Sequence, residues 1–239
     1  MPLNKSNSLR VAFFDMDETI LNFKSMFSFQ SYFYDHAKKT GLFSSKHEFL
    51  EHLESRKSSL TREQLNREFY RSFAGRDLIE VKQLAESWFI DTLEKMGDNF
   101  WIQPTIDLIN QLKSDGYQIV AVSGSSREIL APISRYLSLN DCLSTHTCSD
   151  SGVLNGEIES SLIGNGKVLA ILNYAEETNL NLESCMACGD HISDVHMLEI
   201  VGLAKIVAGD PELETFAKRK GWEIIQPQQK SPDHQLSHV

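Results

Sequence analysis

Short apolar runs alternate with amphipathic stretches over most of this chain, and the exception lies in its first third. Residues 9–15, LRVAFFD, form an apolar, β-compatible run too short for a helix, which predicts a buried strand ending on a charge. From about Lys24 to Met96 the periodicity is helical throughout and proline is absent. Thr61-Arg62-Glu63-Gln64 fits a capping box heading a helix with Phe69, Tyr70 and Phe73, and 77–97 spaces apolar residues helically before Gly97. This stretch reads as an insert of about four helices.

Beyond it, helix and strand take turns. Pro104 sits in a first helical turn and Gly116 ends that helix; 117–123 is a second buried strand, and 126–137 is helical despite Pro132. Residues 142–160 suggest a short strand and a hairpin turning near Asn155-Gly156. A helix over Gly166 to Glu177, a strand at 184–190, a helix over Ser193 to Ile200, a strand at 203–209, a helix opened by Pro211 and a strand at 222–225 follow. The alternation predicts an α/β fold, a Rossmann-like doubly wound parallel sheet carrying an inserted α-helical bundle. The expected divisions are a core of 9–23 and 98–226, a helical cap of 24–97, and flexible tails at 1–8 and 227–239, the latter polar and Pro-containing.

Composition narrows the classes. The 239 residues, 41% of them apolar, suffice for a large core, and no run approaches a membrane span or a signal peptide, so the cytoplasm is expected. A net charge of −10 without a Lys/Arg block argues against nucleic acid. Four cysteines are too few for a disulfide framework; Cys185-x-x-Cys188 raises a redox or zinc role, but the strand-like context and lack of further ligands fit small core cysteines better.

In a doubly wound sheet, ligands bind beyond the carboxyl ends of the strands. Asp15 and Asp17 end the first strand, Ser123 ends the second, Lys167 opens a helix after Gly-Asn-Gly, and Asp190 and Asp194 follow a later strand as G-D-x-x-S-D. That set suits phosphoryl transfer, where an aspartate attacks a phosphorus whose negative oxygens a divalent cation and a lysine neutralise. Mg²⁺ is the expected cofactor, since it favours oxygen ligands. Asp15 would be the nucleophile, Asp17 the general acid and base, Ser123 and Lys167 the phosphoryl-binding groups, and Asp190 a metal ligand with Asp194 supporting or completing it.

The motifs also carry a resemblance. Asp15-Met16-Asp17-Glu18-Thr19 matches the D-x-D-x-T signature of the haloacid dehalogenase superfamily, IVAVS (119–123) resembles its second motif, GNGK (164–167) its lysine motif and GDHISD (189–194) its fourth, all in the family's order. An insert between the first two is similar to the helical cap of the phosphoserine phosphatase-like branch, and GKVLAIL with GDHISDVHMLEIVG resembles that branch's subfamily IB hydrolases. The resemblance implies phosphatase activity, an Asp15-phosphate intermediate, and metal contacts from Asp15, Asp190 and the Asp17 backbone carbonyl. Thr19 and Gly124 are expected beside Ser123 and Lys167 in binding substrate. Dehalogenating members lack the second aspartate, and Asp17 is present here. Glu18 stands where Gly or Ser is commoner, and ILNFKSMFSF (20–29) lacks the glutamate-bearing pattern of true phosphoserine phosphatases, so phosphoserine is not assigned.

The expected partner is a small phosphorylated metabolite, with no nucleic acid or membrane, and oligomeric state is left open. Lys24, Ser25, Arg62, Arg67 and Arg71 are candidates for a charged part of the substrate, though solvated helix faces explain most arginines. His191 follows the metal aspartate and reads as solvent-facing or structural. Rival readings keep the site as a phosphotransferase or phosphomutase, or the fold as a non-catalytic binding protein.

Overall fold

The computed structural model describes residues 9–37 and 45–228. The expected tails at 1–8 and beyond 228, and residues 38–44 of the insert, lie outside the described residues. The first strand, β1 (Val11–Phe14), is fully buried. It is the centre of a parallel sheet because both its faces are covered, which is what an uninterrupted apolar run requires. The insert follows as α1 (Ser25–His36), α2 (Lys46–Lys57), α3 (Arg62–Arg71) and α4 (Leu78–Met96). The capping box heading α3 forms as the sequence predicts, with Gln64 N–H donating to Thr61 Oγ1 and Thr61 N–H to Gln64 Oε1.

Next come α5 (Gln103–Ser114), β2 (Gln118–Ser126), α6 (Arg127–Tyr136), β3 (Asp141–Thr145), β4 (Thr147–Asp150) and β5 (Val153–Ile158). The chain closes with α7 (Asn165–Thr178), β6 (Met186–Gly189), α8 (Val195–Glu199), β7 (Leu203–Val207), α9 (Pro211–Lys220) and β8 (Glu223–Ile225). Six strands pair in the order β3-β2-β1-β6-β7-β8, all parallel. The winding runs outward from β1 both ways, so the direction reverses beside β1 and β6.

Alternate residues sort to the two faces, as pleating demands. Ala12, Phe14, Ile119, Ala121 and Cys188 join one core with α5, α6 and the insert, while Val11, Phe13, Val120, Val122 and Cys185 join another with α7, α8 and α9. Cys185 and Cys188 therefore face opposite cores, cannot share an ion or a disulfide, and are buried apolar residues. The first core is continuous with the insert. Phe29 meets Phe33, Phe73 and Trp88 at centroid distances of 5.8, 6.0 and 5.7 Å, and Phe33 meets Phe73 at 5.1 Å. Such ring pairs contribute about 0.5–1.5 kcal/mol each beyond the area they bury, so the insert aromatics serve chiefly as packing.

Three expectations change. The hairpin turns at Ser151-Gly152, not at Asn155-Gly156: Asp150 pairs with Val153, and both turn residues have positive φ (50° and 84°), the twist a two-residue turn needs. Gly156 lies within β5 and serves close packing, since a Cβ there would stand 3.0 Å from Ala74 Cβ and 3.2 Å from Arg71 Cα. The hairpin, expected with the core, bonds to the insert: Gly75 N–H donates to Leu154 O, Leu154 N–H to Arg76 O and Leu78 N–H to Gly152 O. The polar segment after the last strand also begins held, not free, because Gln228 Oε1 accepts from Gln103 N–H (3.0 Å).

Candidate active site

Asp15 directly follows β1, and its N–H donates to Cys188 O on β6 (2.9 Å), extending the ladder by one residue. The carboxylate is thereby carried to the end of the central strand, at the reversal of winding where such folds place ligands. Its Oδ1 accepts from Met16 N–H (2.7 Å) and lies 2.8 Å from Lys167 Nζ. Lys167 comes from the first turn of α7 and spans to Asp194 Oδ1, also at 2.8 Å. Asp194 ends a single 3₁₀ turn, Ile192–Asp194, that replaces the expected start of the helix at Ser193 and leaves α8 only five residues. Asp190 completes the group, its Oδ1 accepting from Thr19 Oγ1 (3.0 Å).

Carboxylate oxygens of Asp15, Asp190 and Asp194 all lie within 4.8 Å of one another. One ammonium thus pairs with two of these three acids. Burial pushes Asp15 up, with Lys167 opposing and Asp194 adding to the rise; burial and the charges of Asp15 and Asp194 push Asp190 up to about 9. Burial alone would lower Lys167, but the two aspartates it bridges raise it, so it stays charged. An all-oxygen cluster with surplus negative charge fits a hard divalent cation such as Mg²⁺.

Asp17 is turned elsewhere. Its Oδ1 accepts from the backbone N–H of Ser25, and its Oδ2 from Ser125 Oγ at 3.3 Å. The two serine hydroxyls are themselves 2.7 Å apart. Burial raises Asp17 to about 6, the Ser25 hydrogen bond opposing and the charge of Asp15 adding to it. The expected metal contact of Asp17 does not come from its carboxylate, which is outside the three-acid cluster. Ser123 Oγ accepts from Ser125 N–H (3.1 Å) inside β2, which does not end at Ser123 as expected but continues to Ser126.

Thr19, expected to bind substrate, is fully buried and donates its hydroxyl to Asp190. Gly124, expected likewise, turns its carbonyl toward the insert, where Asn66 and Tyr70 donate to it, joined by Thr145 of β3. Ser25 holds Asp17 and contributes no free charge. Among the candidate cations, Lys24 pairs with Glu18 (3.4 Å), Arg67 donates to Ile158 O on the hairpin and Arg71 pairs with Glu68. Arg62 alone of these arginines reaches the fourth-motif loop, donating to the His191 ring (2.6 Å) and to Ser193 Oγ (3.2 Å). His191 is half-buried, and burial with the Arg62 charge holds it below its ordinary range. Glu18 has φ of 60°, a left-handed backbone that glycine adopts without strain, which explains why a small residue is commoner there. Beside Asp190 opens a cavity of about 270 Å³ lined by Glu18, Asn22, His191 and Asp210.

Sequence reasoning missed Ser125, Asn66 and Tyr70. Each is buried and polar, a signal that becomes readable only when the partner is known.

Known proteins resemble this chain in sequence and in fold. Residues 12–199 match the family model for haloacid dehalogenase-like hydrolases. A probable phosphatase of Mycobacterium tuberculosis is 31% identical over 220 residues, 90% of this chain and 74% of that one. The phosphoserine phosphatase SerB1 of the same species is 31% identical over 151 residues, 63% of this chain but 48% of its own length. A solved structure from Bordetella pertussis Tohama I, of unknown function, superposes with a TM-score of 0.79 at 21% identity, covering 91% of this chain and 98% of that one. A substrate-bound phosphoserine phosphatase superposes at 0.61 and 18% identity, covering 94% and 95%. The chain belongs to the haloacid dehalogenase-like hydrolases.

Proposed function

We propose that this protein is a phosphatase that hydrolyses a small phosphomonoester in the cytoplasm, through a phosphoryl group carried on Asp15, with Asp17 as general acid and base and Mg²⁺ as cofactor. The observation that carries the reading is the separation of two nearby carboxylates: Asp15 is fixed by Lys167 and the Met16 N–H, whereas Asp17 is held by Ser25 and Ser125. Two acids in different surroundings can take different roles. The probable phosphatase and phosphoserine phosphatase among the relatives support the same class of reaction.

Asp15 attacks phosphorus as the bond to the leaving oxygen breaks, and Asp17 gives that oxygen a proton. Water then attacks the acyl phosphate while Asp17 takes back a proton, releasing inorganic phosphate and free Asp15. Lys167 and Ser123 hold the phosphoryl oxygens during both steps. Asp15, Asp190 and Asp194 would hold Mg²⁺, which supplies neutralisation of the phosphoryl charge when bound. Thr19 keeps the Asp190 carboxylate aimed by its hydrogen bond.

Phosphate release from a panel of small phosphomonoesters, including phosphoserine, phosphocholine, histidinol phosphate and sugar phosphates, tests this with Mg²⁺ and with chelator. Selective, chelator-sensitive release is expected. Release that survives chelation, or none at all from folded protein, contradicts it.

A further inference from the structure

One face of α3 addresses the site loops in turn. Arg62, Asn66 and Tyr70 are four residues apart, so they stack along a single side of the helix. Arg62 meets His191 and Ser193. Asn66, 4% exposed, donates through Nδ2 to Gly124 O (3.2 Å) and accepts through Oδ1 from Ser161 Oγ (2.9 Å). Tyr70, 1% exposed, donates its hydroxyl to the same Gly124 O at 2.9 Å.

The Gly124 carbonyl receives a third donor from Thr145 (2.9 Å), more than its two lone pairs normally serve. The other end of that peptide group, Ser125 N–H, donates to Ser123 Oγ. With the plane held at both ends, Ser123 Oγ is engaged as an acceptor by the same peptide group. Asn66 also reaches the segment before Lys167: Ser161 O packs so tightly on Gly166 that a Cβ there would be 1.9 Å from it.

We infer that Asn66 and Tyr70 are positioning residues for phosphoryl transfer, through which the insert sets the loops carrying Ser123 and Lys167. Neither touches the reacting atoms. Their buried polar groups are spent on a backbone carbonyl and a serine of the core, so when α3 is seated on the core the phosphoryl-binding groups are in register, and when it is not they lose their supports. The inference rests on the proposed phosphatase reading and adds to it a role for the insert that is independent of substrate contact.

The test is turnover of p-nitrophenyl phosphate with Mg²⁺ by wild type, Asp15→Asn, Tyr70→Phe, Asn66→Ala, Ser123→Ala and the Ser123→Ala/Tyr70→Phe pair, with thermal melts to count folded enzyme. Tyr70→Phe removes one oxygen and remains informative should Asn66→Ala fold poorly. Expected are a fall of about tenfold in kcat per folded enzyme with KM within about twofold, the size of effect a small misplacement of catalytic groups produces. In the Ser123→Ala background, Tyr70→Phe should cost less than about twofold, because residues acting through one another are not additive. Unchanged kcat in Tyr70→Phe, or effects that multiply in the double variant, overturn the inference while Asp15 dependence leaves the phosphatase reading standing. Absence of wild-type turnover, or turnover surviving in Asp15→Asn, removes both.

Discussion

Ser25, the first residue of insert helix α1, donates its backbone N–H to the Asp17 carboxylate at 3.0 Å. The insert thus begins by holding the second aspartate of the first motif, and the side-chain support comes from Ser125 on β2. Ser125→Ala removes that support and leaves the Ser25 N–H in place. A loss of about tenfold or more in kcat is expected, since general acid–base catalysis contributes roughly 10²–10⁴-fold and depends on aim. Steady-state kinetics on the best substrate of the panel checks it, and unaltered kcat would detach Ser125 from the mechanism.

Lys167 bridges two buried carboxylates, Asp15 and Asp194, that cluster with the half-buried Asp190. Lys167→Met should abolish turnover, and it should destabilise the fold by about 3–5 kcal/mol, because removing one partner strands buried charge. Urea unfolding in chelator measures the second part. A stable, active variant would contradict the shared ion pair.

Much of the site was legible because strand ends are local events. Asp15, Lys167 and Asp190 each follow or open a short element whose apolar run and small-residue breaks mark it. Ser125, Asn66 and Tyr70 were not legible, since their partners lie 108, 58 and 54 residues away and nothing nearby distinguishes them from other polar or packing residues. The hairpin shows the same limit. Asn155-Gly156 has turn chemistry, yet Gly156 is needed for its close approach to α3, and the turn falls on Ser151-Gly152.

Gly156→Ala tests that approach. The new methyl would meet Ala74 and Arg71 backbone at a residue with φ of 84°. Destabilisation of about 1–3 kcal/mol is expected from overpacking and left-handed strain combined. Chemical denaturation gives the value, and a neutral result would mean the hairpin sits loosely on the insert.

Glu68 on α3 ties the insert helices together through His52 (3.0 Å), Arg56 (3.6 Å) and Arg71 (3.2 Å). Burial acts to raise its carboxyl, but these partners win and hold it below the ordinary range. A carboxylate lowered in the folded state adds stability that is present above its unfolded value of about 4.3 and is lost as pH falls through the lower folded value. Glu68→Gln should cost about 1 kcal/mol near neutrality and flatten the acid limb of stability against pH. Equal acid sensitivity in variant and wild type would place that limb in other groups.

The central claim, a phosphoryl group carried by Asp15, is tested most directly by acid-quenching the Asp17→Asn variant during turnover and mapping the modified peptide by mass spectrometry. With proton transfer crippled and the nucleophile intact, one phosphoryl group is expected on the peptide containing Asp15, absent when Asp15→Asn is added. Phosphate release by an enzyme that never carries phosphorus on that peptide, or that works equally well without the Asp15 carboxylate, would contradict the account.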